Sequence, residues 1–447
     1  MDYAGRIVLP DNVGYIIEKL NSFGFEAFIV GGCVRDRILG RAPYDWDITT
    51  NALPADIKRI FEKTYDTGIK HGTICVAADK EYVEVTTYRI DGEYTDNRRP
   101  DSVQFTSSLK EDLARRDFTI NAIAYHPNVG FVDYFEGIKD LENCRIKAVG
   151  DANLRFGEDA LRMLRAIRFS AQLGFSIEKA TYDAILTNSS LIKNISYERI
   201  RDELTKILVS PNPMYFDYLY QTGLLEHILP EFMICYDTQQ NNPYHVYSVS
   251  EHILHTVKYV NNSSILRWTM LLHDIGKPLR KTTDEKGIDH FYGHQQASAE
   301  LASSILNRLR FDKETIKKII RLIIYHDLDI LDNEKSIRKV IAKVGEDSFL
   351  ELLEVQKADA MGQNPIYLDK RMIMMDNIIK MYNKIKNDNQ CLNKREMAIN
   401  GHDLIQMGMK PGKDIKNMLN YLFDCILENP ELNDKQKLID IAKHGIV

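Results

Sequence analysis

The sequence has little that would place the chain in a membrane or crosslink it. None of its 447 residues belongs to an apolar run long enough to span a bilayer, and the opening residues, MDYAGRIVLPDN, lack the basic and apolar segments of a secretion signal. The six cysteines lie far apart with no C-x-x-C pair, which argues against a disulfide framework or a thiolate zinc site. We therefore expect a soluble, cytoplasmic protein with buried thiols.

An excess of positive charge is also missing. The formal net charge is −6 at pH 7, so a nucleic-acid partner would need a local basic surface. The chain contains no internal repeat and no low-complexity tract, and it is too long for one ordinary hydrophobic core. These properties predict a globular protein of several domains.

The pattern of apolar residues changes near residue 150. Before this point short β-rich runs alternate with glycine and proline, namely FEAFIVGG, YDWDITT, GTICVAAD, EYVEVTTYRI and SVQFTSS. After it the period becomes helical, beginning with DANLRFGEDALRMLRAIRFSAQLGF. We predict an α+β protein with a small mixed β-sheet at residues 1–150, followed by helical regions at 151–235, 236–375 and 376–447.

The run YDWDITT, residues 44–50, places two carboxylates around a tryptophan. In a β-strand Asp45 and Asp47 would share one face, while Trp46 and Ile48 would share the other face and enter a core. The acidic face must then be solvated or hold a cation.

A glycine-rich turn precedes these carboxylates. In GGCVRDRILG, residues 31–40, a strand runs into a double glycine and then a short helix. The backbone at Gly32 could approach a ligand closely, the helix N-terminus would offer N–H groups to phosphate, and Arg35 and Arg37 would add positive charge. Carboxylates that bind two Mg²⁺ ions beside a phosphate site are what phosphoryl or nucleotidyl transfer requires.

The GG-x-VRD segment followed by the D-x-D strand resembles the head of the class II tRNA nucleotidyltransferase and poly(A) polymerase family. Further segments match in the family's order, namely DGEYTDNRRPDSV, LARRDFTINAIAY, EDALRMLRAIRF and YERIRDEL. The resemblance covers about the first half of the chain. It implies a polymerase-β-like nucleotidyltransferase head at residues 1–150 and a helical neck that binds nucleotide and RNA at 151–235.

The resemblance also implies residue roles. Asp45 and Asp47 would bind the catalytic Mg²⁺ ions, and Glu84 would be either a third acidic group near them or a solvated strand residue. Arg116 would lie near the nucleotide phosphates and Asp117 near the ribose 2′-hydroxyl. The other residues implied to bind nucleotide are Gly32, Arg35, Asp159, Arg162, Arg165 and Arg168.

The segment EDALR, residues 158–162, has a chemistry of its own. On a helix Asp159 and Arg162 would lie opposite an apolar face formed by Leu161, Leu164, Ile167 and Ala171. The carboxylate would accept a hydrogen bond from the amino group of C or A, and the guanidinium would donate to the adjacent ring nitrogen. U and G present the reverse pattern. The alternative interpretation is an ordinary i,i+3 surface ion pair.

A second set of residues lies in the region 236–375. An adjacent His273 and Asp274 in RWTMLLHDIGKP, together with His252 and Asp359, resemble the HD-domain phosphohydrolases. That resemblance implies a divalent metal, for which Mn, Ni, Co, Fe and Mg are all suitable, and water activated against a phosphate ester. The histidines that would widen this site, bind a second metal or contact substrate are His245, His290, His294 and His326. The alternative is an empty site in a helical RNA-binding arm.

The tail segment AINGHDLIQMGMKPGKDIKNML, residues 398–419, resembles the family's C-terminal tRNA-binding arm. Lys410, Lys413 and Lys416 would then contact the tRNA backbone, unless they form a solvated helical face.

All these features predict an enzyme that adds or repairs the 3′-terminal CCA of tRNA from CTP and ATP without a nucleic-acid template. One alternative is a bacterial poly(A) polymerase, although TYDTGIKHGTICV lacks the basic signature usual in that branch. Others are an A-only enzyme, a CC-only enzyme, which typically lacks the loop DGEYTDNRRPDSV, and an RNA-binding protein with inactive sites. The oligomeric state is left open.

Overall fold

The computed structural model describes residues 6–79, 81–92 and 102–444, and the chain forms two compact units, Met1–Met233 and Ile234–Val447. Most of the loop segment at residues 91–103 lies outside the described residues. Within the described ranges no helix combines the length and apolarity needed to cross a membrane. The division into four regions stays a prediction.

A mixed β-sheet occupies the first half of the first unit. The strands of this unit are β1 (Ala27–Val30), β2 (Asp47–Thr50), β3 (Thr64–Gly68), β4 (Thr73–Ala78), β5 (Glu81–Thr87), β6 (Arg89–Asp91), β7 (Val103–Phe105), β8 (Ile123–His126), β9 (Gly130–Asp133), β10 (Arg145–Ile146) and β11 (Ser176–Ile177). Seven of them form one sheet in the order β3-β4-β5-β2-β1-β8-β9. Its neighbours are antiparallel except β2 and β5, whose parallel register sets Asp47 opposite Glu84.

Helices flank this sheet and make up the rest of the first unit. They are α1 (Asp11–Ser22), α2 (Gly32–Ile38), α3 (Pro54–Ile60), α4 (Leu109–Ala114), α5 (Gly137–Glu142), α6 (Ala152–Glu158), α7 (Leu161–Leu173), α8 (Lys179–Asn188), α9 (Tyr197–Leu208), α10 (Asp217–Gln221), α11 (Leu225–Ile228) and α12 (Pro230–Tyr236). Helix α7 is central, because the predicted apolar residues Leu161, Leu164, Ile167 and Ala171 are all buried. The predicted α+β class is confirmed.

The second unit is almost entirely helical. Its helices are α13 (Val249–Tyr259), α14 (Ser264–Leu272), α15 (Lys277–Arg280), α16 (His294–Arg308), α17 (Lys313–Tyr325), α18 (Glu334–Val344), α19 (Glu346–Met361), α20 (Leu368–Asn387), α21 (Gly401–Gln406), α22 (Lys413–Glu428) and α23 (Lys435–His444), with the short strands β12 (Thr282–Thr283) and β13 (Asp289–His290). A capping box between Ser248 and Glu251 starts α13 directly after the polar segment 235–248. The predicted boundary at residue 376 falls inside α20, so continuous helix joins the two regions there.

Two local predictions were wrong. Strand β2 begins at Asp47, so Asp45 and Trp46 lie before it, and Trp46 is half-buried instead of entering the core beside Ile48. The segment EDALR is not one helix, because α6 ends at Glu158 and α7 begins at Leu161. Asp159 has extended backbone between them and its carboxylate accepts from Leu161 N at 3.1 Å, which is capping chemistry.

Candidate functional site

The first site begins with three carboxylates at the edge of β2. Asp47 is half-buried, whereas Asp45 and Glu84 are exposed. Burial, and then the neighbouring charges of Asp45 and Glu84, raise the pKa of Asp47 to about 6, with Arg116 opposing them. The structure therefore brings the predicted acidic residues together, and their mutual repulsion is what a bound cation would relieve.

Arg116 reaches this region past the glycine turn. Gly31 has a φ of 80°, a backbone conformation that favours glycine, and its backbone passes close to the Arg116 guanidinium. Both arginines of the RRD segment contact the buried Asp112 carboxylate, with Arg115 Nη2 2.8 Å from Oδ1 and Arg116 Nη2 3.5 Å from Oδ2. Asp112 Oδ2 also accepts from Thr49 Oγ1 at 3.1 Å. The segment is thus anchored to the strand that carries Asp47.

Asp117 lies at the other end of the same segment, in a hydrogen-bonded group. Arg165 donates to its Oδ2 from Nε at 2.8 Å and from Nη2 at 2.5 Å, and Asn121 donates to its Oδ1 at 3.1 Å. Burial alone would raise the pKa of Asp117, but the Arg165 guanidinium holds it well below its usual range. Arg35 donates to Asn121 Oδ1 at 2.7 Å, so four of these polar side chains form one chain of contacts.

Arg168 is fixed on the same helix. Its Nε lies 2.6 Å from Glu203 of α9, and its guanidinium lies 4.0 Å from the centre of the Phe169 ring. Arg35 and Arg165 also approach that ring, at 5.2 and 5.3 Å. Three guanidinium groups thus surround one aromatic ring, and each is paired with a carboxylate, Arg35 with Asp36, Arg165 with Asp117 and Arg168 with Glu203.

Asp159 and Arg162 do not pair with each other through their side chains. Arg162 contacts Glu158 Oε2 at 2.7 Å and donates to Arg115 O at 3.0 Å, whereas Asp159 Oδ2 lies 3.0 Å from Arg199 Nη2. The simpler interpretation as an i,i+3 ion pair is therefore wrong. The reason is the helix break at Asp159, which takes its carboxylate off the α7 surface and toward α9.

The second site, in the other unit, gathers the four predicted HD residues. His252 Nε2 lies 3.2 Å from Asp274 Oδ2 and 3.0 Å from Asp359 Oδ1, and His273 Nε2 lies 3.3 and 3.4 Å from the same two oxygens. Both Nδ1 atoms contact carbonyls, His252 that of Gly362 at 2.9 Å and His273 that of Met270 at 2.7 Å. A carbonyl can only accept, so both Nδ1 atoms donate, and this leaves Nε2 as the atom that could bind a metal.

Two of the four further histidines continue this cluster. His294 Nε2 and His326 Nε2 lie 3.2 Å apart, and they approach Asp274 Oδ1 to 3.2 and 3.6 Å. Their Nδ1 atoms also donate to carbonyls, those of Phe291 and Ile323. Neutral imidazoles would therefore aim two lone pairs at each other beside a carboxylate, an arrangement that a cation or a proton must satisfy. Asp274 is shared by both groups, one oxygen facing each.

The remaining residues line the mouth of this cluster. Lys277 is buried, with Nζ 2.6 Å from Asp274 Oδ2 and 3.0 Å from Gln240 Oε1. Burial and the positive charge of Lys277 lower the pKa of His245 to about 3, so this imidazole is neutral. His290 pairs with Asp284 at 3.1 Å and stacks on Tyr292. His245 and His290 thus belong to the cavity wall and not to either ligand group.

Comparison with known proteins identifies the family. Residues 27–147 match a family model described as the poly A polymerase head domain, residues 174–235 one for the probable RNA and SrmB-binding site of polymerase A, and residues 280–442 one for domain 2 of tRNA nucleotidyltransferase. The chain is 37% identical over 432 residues to the CCA-adding enzyme of Ligilactobacillus salivarius, an alignment that covers 96% of this chain and 95% of that protein. The chain belongs to the CCA-adding enzyme family.

Another CCA-adding enzyme, from Pediococcus pentosaceus, is 36% identical over 428 residues, or 95% of each chain. The structure matches the Bacillus stearothermophilus CCA-adding enzyme in complex with CTP, with a TM-score of 0.75, 28% identity and 98% of each chain covered. The Thermotoga maritima CCA-adding enzyme complexed with tRNA shares the fold, with a TM-score of 0.58 and 20% identity over 97% of this chain and 94% of that one. Membership of the CCA-adding enzyme family implies dependence on a divalent metal.

Sequence reasoning missed several residues that contact the candidate sites. Arg199 holds Asp159, and it was visible in the matching segment YERIRDEL. Asn121 was likewise visible in LARRDFTINAIAY. Lys277 lies three residues after Asp274 in HDIGKP, and that i,i+3 spacing of opposite charges is itself a signal. Gln363 donates to Asp359 Oδ2 at 2.7 Å and had no signal in the sequence.

Proposed function

We propose that this protein adds or repairs the 3′-terminal CCA of tRNA, using CTP and ATP without a nucleic-acid template. The observation that carries the proposal is the cluster of three carboxylates, Asp45, Asp47 and Glu84, in a chain that belongs to the CCA-adding enzymes. The 3′-hydroxyl oxygen of the tRNA forms a bond to the α-phosphorus of the incoming nucleotide. The bond from that phosphorus to the bridging oxygen breaks, and pyrophosphate leaves.

The donor set fits divalent metal. Three carboxylates supply the oxygen ligands that Mg²⁺ prefers, and burial and then the charge of Asp45 raise the pKa of Asp47 to about 6. Asp45 and Asp47 would hold two Mg²⁺ ions, with Glu84 beside them. When bound, the metal supplies activation of the attacking hydroxyl and stabilisation of the leaving pyrophosphate. Arg116 stands close enough to this group to orient the phosphates.

Nucleotide selection would depend on α6, α7 and α9. The Asp159 carboxylate would give up its contact with Arg199 and accept a hydrogen bond from the amino group of C or A. Buried Arg162 donates to the backbone carbonyl of Arg115 and would also donate to the adjacent ring nitrogen of the base. Asp117, kept ionised by Arg165, accepts from the ribose 2′-hydroxyl. The exposed tail residues Lys410, Lys413 and Lys416 lie in the second unit and would contact the tRNA backbone. The cytoplasmic location also stays a prediction.

The test uses three tRNA transcripts, ending before the CCA, after its first C and after its second C, each with one nucleotide at a time. The wild-type protein should add C to the first two and A only to the third. A poly(A) polymerase would add A to all three, an A-only enzyme would extend only the third, and a CC-only enzyme would fail on the third. Asp45→Ala and Asp47→Ala should each abolish addition while tRNA binding, measured by filter retention, stays nearly unchanged.

A second activity is supported by the HD cluster. His273 Nε2 and both carboxylate oxygens of Asp274 are buried, with His273 Nε2 3.3 Å and Lys277 Nζ 2.6 Å from Asp274 Oδ2. Burial opposes a charge on His273, yet the Asp274 carboxylate raises its pKa to about 10, so the metal-free cluster holds protons where a metal would sit. We propose that His252, His273, Asp274 and Asp359 bind one divalent transition metal and that Asp274, His294 and His326 bind a second.

When bound, the metal would activate water for attack on a phosphate ester. Lys277 and the histidines at the mouth would hold the phosphate. The test is hydrolysis of 2′,3′-cyclic AMP and p-nitrophenyl phosphate across Mg²⁺, Mn²⁺, Ni²⁺ and Co²⁺, after the metal content of the purified protein has been measured. His273→Ala with Asp274→Ala should eliminate hydrolysis and leave CCA addition intact, and Asp45→Ala should do the reverse. No bound metal and no hydrolysis would leave this region as an RNA-binding arm.

A further inference from the structure

A buried carboxylate beside the first site joins several parts of the first unit. Asp112 lies in α4 and is fully buried, and its Oδ2 accepts a hydrogen bond from Thr49 Oγ1 at 3.1 Å. Thr49 follows Asp47 by two residues on β2, so both side chains point to the same face of the sheet. The backbone N–H of Arg89, in β6, lies 3.4 Å from Asp112 Oδ1. Asp112 is therefore fixed relative to the strand that carries Asp47.

The two arginines that follow Asp112 use its carboxylate unequally. Arg115 donates to Oδ1 from Nε at 3.0 Å and from Nη2 at 2.8 Å, and its Nη1 lies 4.0 Å from Asp91 Oδ2. Arg116 Nη2 lies 3.5 Å from Asp112 Oδ2, which is longer than an ordinary hydrogen bond. Arg116 Nε is a buried donor with no hydrogen-bond acceptor among the described residues. Arg115 is thus committed to carboxylates, whereas Arg116 keeps donors available for a ligand.

Arg116 lies where a phosphate chain would pass. Its Nη1 is close to the backbone of Gly31 in the glycine turn, and its charge opposes the rise in the pKa of Asp47. A guanidinium binds phosphate oxygens through pairs of N–H groups. A nucleotide whose α-phosphate lies at the metal ligands would therefore have its phosphates within reach of Arg116, as long as the guanidinium keeps this place.

We propose that Asp112 is a positioning residue for nucleotide binding, which holds Arg116 where its Nε and Nη1 meet the phosphate chain. This role rests on the proposed nucleotidyl transfer and adds to it a residue that acts through Arg116. Asp112 contacts only Nη2 of that guanidinium, so it does not compete with phosphate for the other donors. It also holds Arg115, whose backbone carbonyl accepts from Arg162 in the candidate base site. Asp112 itself contacts neither the base nor the phosphates.

The binding test uses inorganic tripolyphosphate, which carries the phosphate chain without base or ribose. With full-length protein and Mg²⁺, calorimetry should show about tenfold weaker binding by Asp112→Asn than by the wild type, the effect of losing part of a charge-assisted hydrogen bond. Binding of cytidine, which has no phosphate, should be unchanged. In an Arg116→Gln background, Asp112→Asn should have no further effect on tripolyphosphate binding, because Arg116 carries the effect.

The matched control is Asp140→Asn. Asp140 is also buried, accepts from Thr119 Oγ1 at 2.8 Å and pairs with Arg145 at 2.7 Å, so the substitution removes the same charge from the same kinds of contact. It should lower the urea midpoint but leave tripolyphosphate binding unchanged. If Asp112→Asn does not fold, Thr49→Val replaces it, because it removes a hydroxyl that donates to Asp112, and binding should weaken about threefold.

Nucleotide addition gives a second readout. Asp112→Asn should lower kcat/KM for CTP and ATP by the same factor, about tenfold, because both nucleotides carry the same phosphates. The preference for CTP over UTP should not change, because base selection depends on Asp159 and Arg162. A changed preference would mean that the effect passes through Arg115 to Arg162, and it would overturn the proposal.

The other outcomes separate the positioning role from the proposed function. Equal losses for tripolyphosphate and cytidine, or tripolyphosphate binding that is unchanged or tighter in Asp112→Asn, would overturn the positioning role even when CCA addition is found. If the wild-type protein adds neither C nor A, the proposed function is wrong. Weaker tripolyphosphate binding by Asp112→Asn, absent in the Arg116→Gln background, would still support the positioning role in that case.

Discussion

Replacing Asp47 with asparagine should make the metal-free protein more stable while it abolishes nucleotide addition. The pKa of this carboxyl rises from 3.8 to about 6, chiefly because burial and then Asp45 disfavour its charge. Since one pKa unit corresponds to about 1.4 kcal/mol, the ionised carboxylate opposes folding by about 3 kcal/mol at neutral pH. Asparagine removes the charge but leaves an amide to be solvated, so we expect a gain of about 1–3 kcal/mol.

The sign of the effect sets its pH dependence. Because the folded pKa lies above the unfolded one, the penalty is absent below the unfolded value of 3.8, where the carboxyl is protonated in both states, and complete above about 6. The gain from Asp47→Asn should therefore be largest at neutral pH and shrink as the pH falls toward 4. Added Mg²⁺ should stabilise the wild-type protein more than the variant, because a bound cation offsets the same repulsion.

The assay is urea unfolding in EDTA, followed by tryptophan fluorescence. The chain has two tryptophans. In a Trp268→Phe background Trp46 alone reports the first unit, which keeps unfolding of the second unit out of the signal. Asp151→Asn is the matched control, since Asp151 is exposed and asparagine also serves as an N-cap. A lower urea midpoint for Asp47→Asn at neutral pH, or a gain that does not change with pH, would refute the reasoning.

Two further predictions concern the nucleotide-binding residues. Asp159→Ala should weaken discrimination against UTP and GTP, measured as ratios of kcat/KM, more than it weakens CTP binding. Unchanged ratios with a general loss of activity would mean that the contact between Asp159 and Arg199 has a structural role only. Arg165→Met should destabilise the first unit by about 2–4 kcal/mol, because the buried Asp117 carboxylate would lose the guanidinium that donates twice to its Oδ2. Adding Asp117→Asn to that variant should restore part of the loss in urea unfolding, and an equally unstable double variant would contradict the argument.

Local sequence patterns predict many of the strands of the first unit, whereas the strands that were missed depend on their neighbouring strands in the sheet. The five predicted β-rich runs all contain strands. Strands β3, β8, β9, β10 and β11 were not predicted. Strand β3 is largely exposed along its length and β8 is buried on both faces, so neither shows a simple alternation. Such strands are fixed by the partners that flank them, which a single sequence does not display.

The candidate sites divide in the same way. Residue types such as the HD pair and the D-x-D strand are local, and the sequence was enough to select them. Partner choice is only partly local. Lys277 and Gln363 contact Asp274 and Asp359 from three and four residues further along the chain, whereas Arg199 reaches Asp159 from α9, 40 residues away. Spacing along one helix predicted the wrong partner for Arg162, since the break before α7 changes which side chains are neighbours.

What distinguishes the two sites from ordinary ion pairs is unrelieved repulsion. Asp112 is buried, and burial alone would raise the pKa of its carboxyl group. Arg115 and Arg116 nevertheless hold that pKa below its usual range, so the carboxylate needs no further partner. Asp47 shows the opposite shift, because burial and then the like charge of Asp45 raise the pKa of its carboxyl group. The Nε2 atoms of His294 and His326 face each other, while the Nδ1 atom of each ring donates to a backbone carbonyl. A fold keeps such contacts only when other interactions offset them, and a bound divalent cation would relieve both.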